Sequence, residues 1–223
     1  MRTLLFIVLT LIYFKGYSQT HKAIYSFRIE ANPITESTKF KDDVGPLAED
    51  NEYYLYFNKE NSYYTSLNAE NDTKDMSDGL GGTYYPAKYN YKTKMLQHNT
   101  EFDKKYVVNH SNIPVWTITN ETKEIGGYNC IKAYGVLSGL VDSSRSSTVE
   151  AWFAPELPYS IGPYKSVGLP GLVVYSIYKN YMIFKLEKVI FNDNSVDIDA
   201  ITFEGDKLNE EQYIELLKQE INF

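Results

Sequence analysis

The chain has 223 residues, 22 Lys and Arg against 29 Asp and Glu, a net charge of −7, and a single cysteine. An acidic balance of this size excludes a phosphate-tracking nucleic-acid binder, which needs a positive surface. One thiol excludes an internal disulfide framework, and the length suits one domain able to build its own core.

The first residues read as an address. Arg2 gives a basic start, and Leu4 to Phe14 is an apolar run too short for a ~20-residue membrane helix. Gly16 and Ser18 stand at −3 and −1 of an expected cut after Ser18. No cysteine follows the run, so a lipidated anchor is not expected, and the product is expected to be secreted or periplasmic. Residues 1–18 are thus expected to be a signal peptide and 19–223 one β-rich domain. Cleavage would remove Arg2 and Lys15 and no acidic residue, leaving the mature chain more acidic still.

Tyr25, Phe27 and Ile29 alternate with Ser26, Arg28 and Glu30, the pattern of a half-buried antiparallel strand. Ala31 to Asp50, with Pro33, Gly45 and Pro46, reads as a long loop. Glu52–Asn58 and Ser62–Ser66 flank Lys59-Glu60-Asn61 as a hairpin. Asn68 to Gly82 has turn chemistry; its Asp72, Asp75 and Asp78 lack the alternate spacing and final Glu of an EF-hand, so a solvated loop is expected. Asp193, Asp197 and Asp199 are read the same way, as the outward face of a strand. Tyrosines crowd the stretch from Tyr53 to Tyr91, suiting either a half-wet sheet surface or an aromatic platform for sugars or an extended peptide. Met95–Asn99 and Lys104–Asn109 read as two further strands.

Pro114 to Thr119 and Tyr128 to Tyr134 alternate on either side of Gly126-Gly127, a second hairpin. Lys132 shares a face with Tyr128, Cys130 and Tyr134. It is expected either to pair with Glu121 or Glu150, its stem packed, or to act as a tuned base. Cys130, inside a strand, is expected to be buried. Thr148 to Phe153 leads into a corner dense in Pro155, Pro158, Gly162, Pro163, Gly168, Pro170 and Gly171. Leu169-Pro170-Gly171 fits a type II turn, with positive φ at Gly171, and releases an apolar strand, Leu172 to Ile177. Lys179-Asn180 turns the chain into Tyr181–Phe191, whose broken alternation predicts a bulge near Glu187-Lys188. Asp197–Phe203 reads as a strand. Asn209 and Gln212 form a capping box opening an amphipathic helix with Tyr213, Ile214, Leu217 and Ile221 on one stripe.

Gly168-Leu169-Pro170-Gly171-Leu172-Val173 resembles the signature of the GLPGLI family, and Glu121 to Ala133 resembles that family's second block. Trp152, Pro155, Leu157, Pro158, Gly162 and Pro163 fit the spacing between the two. The resemblance implies a secreted protein of Bacteroidetes-type bacteria and brings no activity. A second resemblance is to the N-terminal bowl-shaped domain of some secreted peptide-N-glycosidases, which implies a β-rich accessory domain.

There is no P-loop, no dinucleotide fingerprint and no zinc-binding helix motif, so no cofactor or metal is expected. His21, His98 and His110 are scattered in polar stretches. The fold expected is mainly β: a strongly curved antiparallel sheet or partly open barrel of nine to eleven strands with a C-terminal helix. The function expected is a non-enzymatic binding or accessory protein for a peptide, glycan or lipid-like ligand, with Trp116, Tyr128, Lys132, Trp152 and Tyr164 as candidate contacts. Gly162, Pro163, Gly168, Leu169, Pro170, Gly171 and Leu172 form the structural motif. The alternatives are an extracellular hydrolase working through Glu150, Glu156 or Lys132, and an interaction component of an envelope complex.

Overall fold

A computed structural model describes residues 19–30, 52–66, 86–139 and 146–220. The expected signal peptide, the loops at 31–50 and 68–82, Tyr84, Tyr85 and Ile221 lie outside these residues. Among the described residues the elements are β1 (His21–Ile29), β2 (Glu52–Phe57), β3 (Asn61–Ser66), β4 (Ala87–Asn90), β5 (Met95–Glu101), β6 (Lys105–His110), β7 (Val115–Ile125), β8 (Tyr128–Leu137), β9 (Ser147–Ala154), β10 (Leu172–Tyr178), β11 (Met182–Ile190), β12 (Asp206–Leu208) and a helix, α1 (Glu210–Glu220). All strands belong to one sheet, ordered β12-β6-β5-β4-β3-β2-β1-β11-β10-β9-β8-β7. It is a curved, open sheet, not a closed barrel, and β7 and β12 are its edges.

β6 and β7 stand near opposite ends of this order, yet residues 111–114 alone connect them. At ~3.3–3.6 Å per residue those few steps span less than ~20 Å. The sheet must therefore curl until the end of β6 approaches the start of β7. The alternation of β1 explains what lines the curve: Tyr25 and Phe27 are buried while Arg28 is exposed. They join Tyr53, Leu55, Phe57, Tyr64, Tyr178, Met182 and Phe184 in one core cluster. Tyr53 and Tyr64 stack at 5.2 Å with parallel rings. The tyrosine-rich stretch therefore supplies core at Tyr53, Tyr56, Tyr64 and Tyr89, while Tyr54, Tyr63 and Tyr91 are partly exposed.

The local signals read from sequence form as expected. Gly126 and Gly127 (φ 60° and 84°) turn β7 into β8, and Lys179 and Asn180 (φ 49° and 64°) turn β10 into β11. The β1–β11 register slips by one residue and leaves Glu187 unpaired in the ladder. This bulge re-aims the Glu187 carboxylate, which accepts the Ser26 hydroxyl at 2.7 Å and pairs with Lys185 at 3.1 Å. At the helix start, Asn209 Oδ1 accepts the Gln212 N–H (2.9 Å) and Gln212 Oε1 accepts the Asn209 N–H (3.0 Å). Two orphan donors are thereby satisfied reciprocally.

Other expectations are corrected. Asp197–Phe203 is not a strand: Asp197 Oδ1 accepts the Asp199 and Ala200 N–H groups, and this local turn competes with sheet pairing. The next strand is instead β12, which pairs parallel with β6. Gly205 permits that approach, since a Cβ there would stand 2.6 Å from the Lys105 carbonyl oxygen. With short β4 and β12 the sheet has twelve strands among the described residues, beyond the expected nine to eleven.

Gly171 does not have positive φ, so Leu169-Pro170-Gly171 is not a type II turn. The Gly171 N–H donates to the Leu169 carbonyl at 2.9 Å, a tighter turn centred on Pro170. Glycine is needed there for contact: a Cβ would lie 2.4 Å from the Ala154 carbonyl oxygen. Gly171→Ala should therefore cost about 2 kcal/mol or more through overpacking against fixed backbone. Gly127→Ala, with nothing within 4 Å but a left-handed φ, should cost about 1 kcal/mol. Paired urea titrations check this, and equal losses would show that strain, not contact, governs both sites.

Candidate functional site

Lys132 is the hub of the face shared by β7, β8 and β9. It lies directly across the β8–β9 ladder from Trp152, while Tyr134 lies across from Glu150. Between Ile118 and Thr122 the β7–β8 register slips by two residues, so β7 bulges opposite Lys132. The bulge brings Glu121 to 3.5 Å from the ammonium, and Glu150 stands at 3.4 Å on the other side. The ammonium also lies 4.8 Å from the Tyr134 ring centre and 5.5 Å from that of Trp152. Contact with Tyr134, then the Glu150 and Glu121 carboxylates, hold the Lys132 pKa above the ordinary lysine value. Lys132 is thus a charge-paired cation with a packed stem, not a base tuned toward neutrality.

The other residues expected to bind divide by location. Trp116 is anchored: its indole N–H donates to the Val167 carbonyl at 2.7 Å, and its ring fills the space a side chain at Gly135 would need. Tyr128 packs half-buried against the main core. Trp152 donates its N–H to Glu150 at 3.1 Å. Tyr164 belongs to a different region, the cavity under the corner. The structure therefore brings Lys132 and Trp152 together and separates both from Tyr164.

The carboxylates named for hydrolysis do not converge. Glu150 is occupied by Lys132 and Trp152, and Glu156 accepts the Asn129 N–H at 3.3 Å. Glu156 lines an open groove of ≈ 340 Å³ with Cys130, Thr122 and Pro155, and Glu150 is not part of it. Cys130 is fully buried and free. Burial, then Glu156, pushes its thiol up to about 11, so it stays protonated. Among the described residues no three His, Cys, Asp or Glu side chains cluster to hold a metal, Asp193, Asp197 and Asp199 included.

The corner itself, 155–171, is closed by its own backbone. The Gly168 N–H donates to the Ser160 carbonyl (3.1 Å), Leu172 to Leu157 (2.9 Å) and Val173 to Ile161 (2.9 Å). Those N–H groups turn the chain and are not presented to a ligand. Gly162 is needed because a Cβ would stand 2.5 Å from the Val173 Cβ, and Gly168 because its φ is 97°. Pro163 accepts the Ser166 N–H, and Leu169 and Leu172 are buried.

Inside the curve this corner meets residues that looked scattered in the sequence. His98 on β5 and His110 on β6 make an edge-to-face contact at 5.3 Å, and Tyr213 of α1 approaches His98 at 5.9 Å. Burial, then the charge of Lys165, lowers His98 to about 3 and His110 to about 2. His110 is 1% exposed, with neither ring nitrogen hydrogen-bonded. His98 and His110 meet across the neighbouring strands β5 and β6, but Lys165 and Tyr213 join them from more than fifty residues away, which sequence spacing could not show.

A family model described as a protein of unknown function (Porph_ging) matches residues 140–175, which contain the corner. No curated protein matches the chain. Two structures of PNGF-II, in the P21 and C2 space groups, share the fold, each with a TM-score of 0.58. They are 18% and 16% identical to this chain and cover 89% and 90% of it. The chain in turn spans 33% of the PNGF-II chain. At this identity the likeness is one of fold.

Two outcomes follow. Cys130 should resist alkylation in the native protein and react fully in denaturant; fast native labelling, followed by mass spectrometry, would contradict its burial. His110 has a folded pKa far below its ordinary 6.5. Below pH 6.5 the unfolded chain takes up a proton that the folded chain refuses, so stability falls as pH drops. The slope approaches ~1.4 kcal/mol per pH unit for each such histidine. Urea melts between pH 6.5 and 5 should show this slope, reduced by His110→Phe.

Proposed function

We propose that this chain is an exported, non-enzymatic accessory module that takes an extended polypeptide segment of a partner protein along the first half of β7. The observation that carries this reading is the asymmetry of that edge strand. Beyond the bulge, Lys123 and Glu124 are exposed charges, a device that discourages strand addition. Before it, Val115 is 77% and Ile118 49% exposed. On the adjacent strand Tyr134 and Val136 are 44% and 48% exposed. Val115 pairs with Val136 and Thr117 with Tyr134, so these four side chains form one continuous strip on one face of the edge, while Ile118, paired with Ala133, is exposed on the other face.

An added strand would gain main-chain hydrogen bonds from the edge and specificity from alternate side chains on this strip. Two copies of a chain with net charge −7 repel, which favours a foreign segment over self-pairing. PNGF-II, in which this fold covers a third of a longer chain, is consistent with a module that works beside other protein. A glycan platform is less well supplied, since the Trp116 and Trp152 N–H groups and the Lys132 charge already have partners. No helix among the described residues is long and apolar enough to cross a membrane. Export rests on the N-terminal run, and the intact mass of the exported protein should begin at Gln19.

The test is to pan a displayed peptide library against the mature protein and against a Val115→Lys/Ile118→Lys double variant. Selected peptides should protect the amides of residues 115–118 from exchange and bind the variant at least tenfold more weakly (~1.4 kcal/mol). Peptides indifferent to both substitutions would overturn the proposal. So would a sedimenting dimer that the double variant dissociates, which would assign the edge to a second copy.

A further inference from the structure

A cavity of ≈ 140 Å³ lies between the corner and the β10–β11 turn, lined by Lys165, Lys179, Asn112, Ser147, Tyr164 and Tyr178 among others. Lys165 comes from the corner, Lys179 from the hairpin turn and Asn112 from the β6–β7 connection. Three segments distant in sequence thus aim polar groups into one space. Among the described residues its lining includes two lysines, Lys165 half-buried and Lys179 reaching in from the exposed turn, and no acidic residue. Among the described residues neither lysine forms an ion pair, although Lys132, Lys185 and Lys218 all do. Among the described residues the carboxylate that acts on Lys165 is Glu210, which is already engaged by the Ser111 N–H (3.0 Å) and hydroxyl (3.1 Å).

Two like charges sharing a semi-enclosed space are unfavourable unless something of opposite charge joins them. The backbone adds a second sign of purpose. Tyr164 has φ 56°, a conformation costly for a bulky side chain, and is held there by an edge contact with Tyr178 at 4.8 Å. This strain lies at the residue adjoining Lys165, whose ammonium stands 5.6 Å from the Tyr164 ring centre.

We propose that this cavity is a binding site for a small oxyanion of the phosphate or sulfate class, held between Lys165 and Lys179 with hydroxyl and amide donors completing its shell. Its volume is on the order of ten water positions, at ~10–15 Å³ each. That is room for a tetrahedral oxyanion and not for a sugar chain or lipid, whose sites run to ~300–1,000 Å³. The site is separate from the β7 edge and does not depend on the reading given for it.

The lysines behave as such a site requires. Burial, then the charge of Lys179, lowers Lys165 to about 8, and burial lowers Lys179. A bound oxyanion would reverse this, returning Lys165 toward the ordinary lysine value of ~10.4. Binding should accordingly weaken as pH rises through about 8. The other titratable groups facing Lys165 are Tyr164, Tyr178, Glu210, His98 and His110; the two histidines are already neutral at pH 7.

The experiment uses the mature protein at pH 7, comparing thermal unfolding in sodium phosphate, sodium sulfate and sodium chloride at matched ionic strength. Phosphate and sulfate should each raise Tm by several degrees over chloride. The increment should vanish in Lys165→Met and in Lys179→Met, both of which fold because each removes an unpaired ammonium. NMR titration of the Lys165 side chain should move from about 8 toward 10 when phosphate is added. Methyl phosphate distinguishes the source: stabilisation equal to that by phosphate assigns an esterified group on a larger molecule, and none assigns the free ion. Equal Tm in all three salts, or an increment that survives both substitutions, would overturn the proposal.

Discussion

The structure depends on one close approach. Where β9 hands the chain to the corner and β10 takes it back, Gly171 lies against the Ala154 carbonyl and Gly162 against Val173. A methyl group at either place would stand about 2.5 Å from a fixed atom, so the corner closes only with bare backbone there. Its closure satisfies the corner's own N–H groups, leaves the Val167 carbonyl for Trp116, and carries Tyr164 and Lys165 into the curve of the sheet. A motif made of glycine and proline thus acts by placing other residues, not by touching a ligand.

The lysines show how position decides chemistry. Lys132 and Lys165 are the same side chain, each against an aromatic ring, yet their proton affinities move in opposite directions. Lys132 stands between two carboxylates on a sheet face, and attraction outweighs desolvation. Lys165 faces Lys179 and buried tyrosines, and desolvation dominates. The first is a stabilised crosslink between three strands. The second holds an unmatched charge in a cavity, which is why the cavity and not the sheet face invites an anion.

The edge strand follows the same logic of compensation. The β7 bulge consumes three residues opposite Lys132, adds twist, and delivers Glu121 to its partner. Charges beyond it guard the edge; the four residues before it have no such guard. The uncharged stretch of the edge is therefore confined to Val115–Ile118 by the same irregularity that completes the lysine network.

The amino-acid sequence by itself determined whatever depends on near neighbours. The Gly126-Gly127 and Lys179-Asn180 turns, the Glu187 bulge, the Asn209–Gln212 cap and the alternation of β1 are all set by backbone preference or side-chain period within a few residues. It also pointed to the corner, without the reason for Gly171: that glycine answers to Ala154 across the fold, not to its own φ. Asp197–Phe203 misled because it is rich in apolar and β-branched residues while the Asp197 side chain captures backbone N–H groups that strand pairing would use. Only the tertiary structure decided that β12 runs parallel to β6, that Lys165 reaches the His98–His110 pair, and that Asn112 joins Lys165 and Lys179 around one cavity. Each of these is a contact between distant segments, fixed by how far the sheet curls, and no local spacing encodes that.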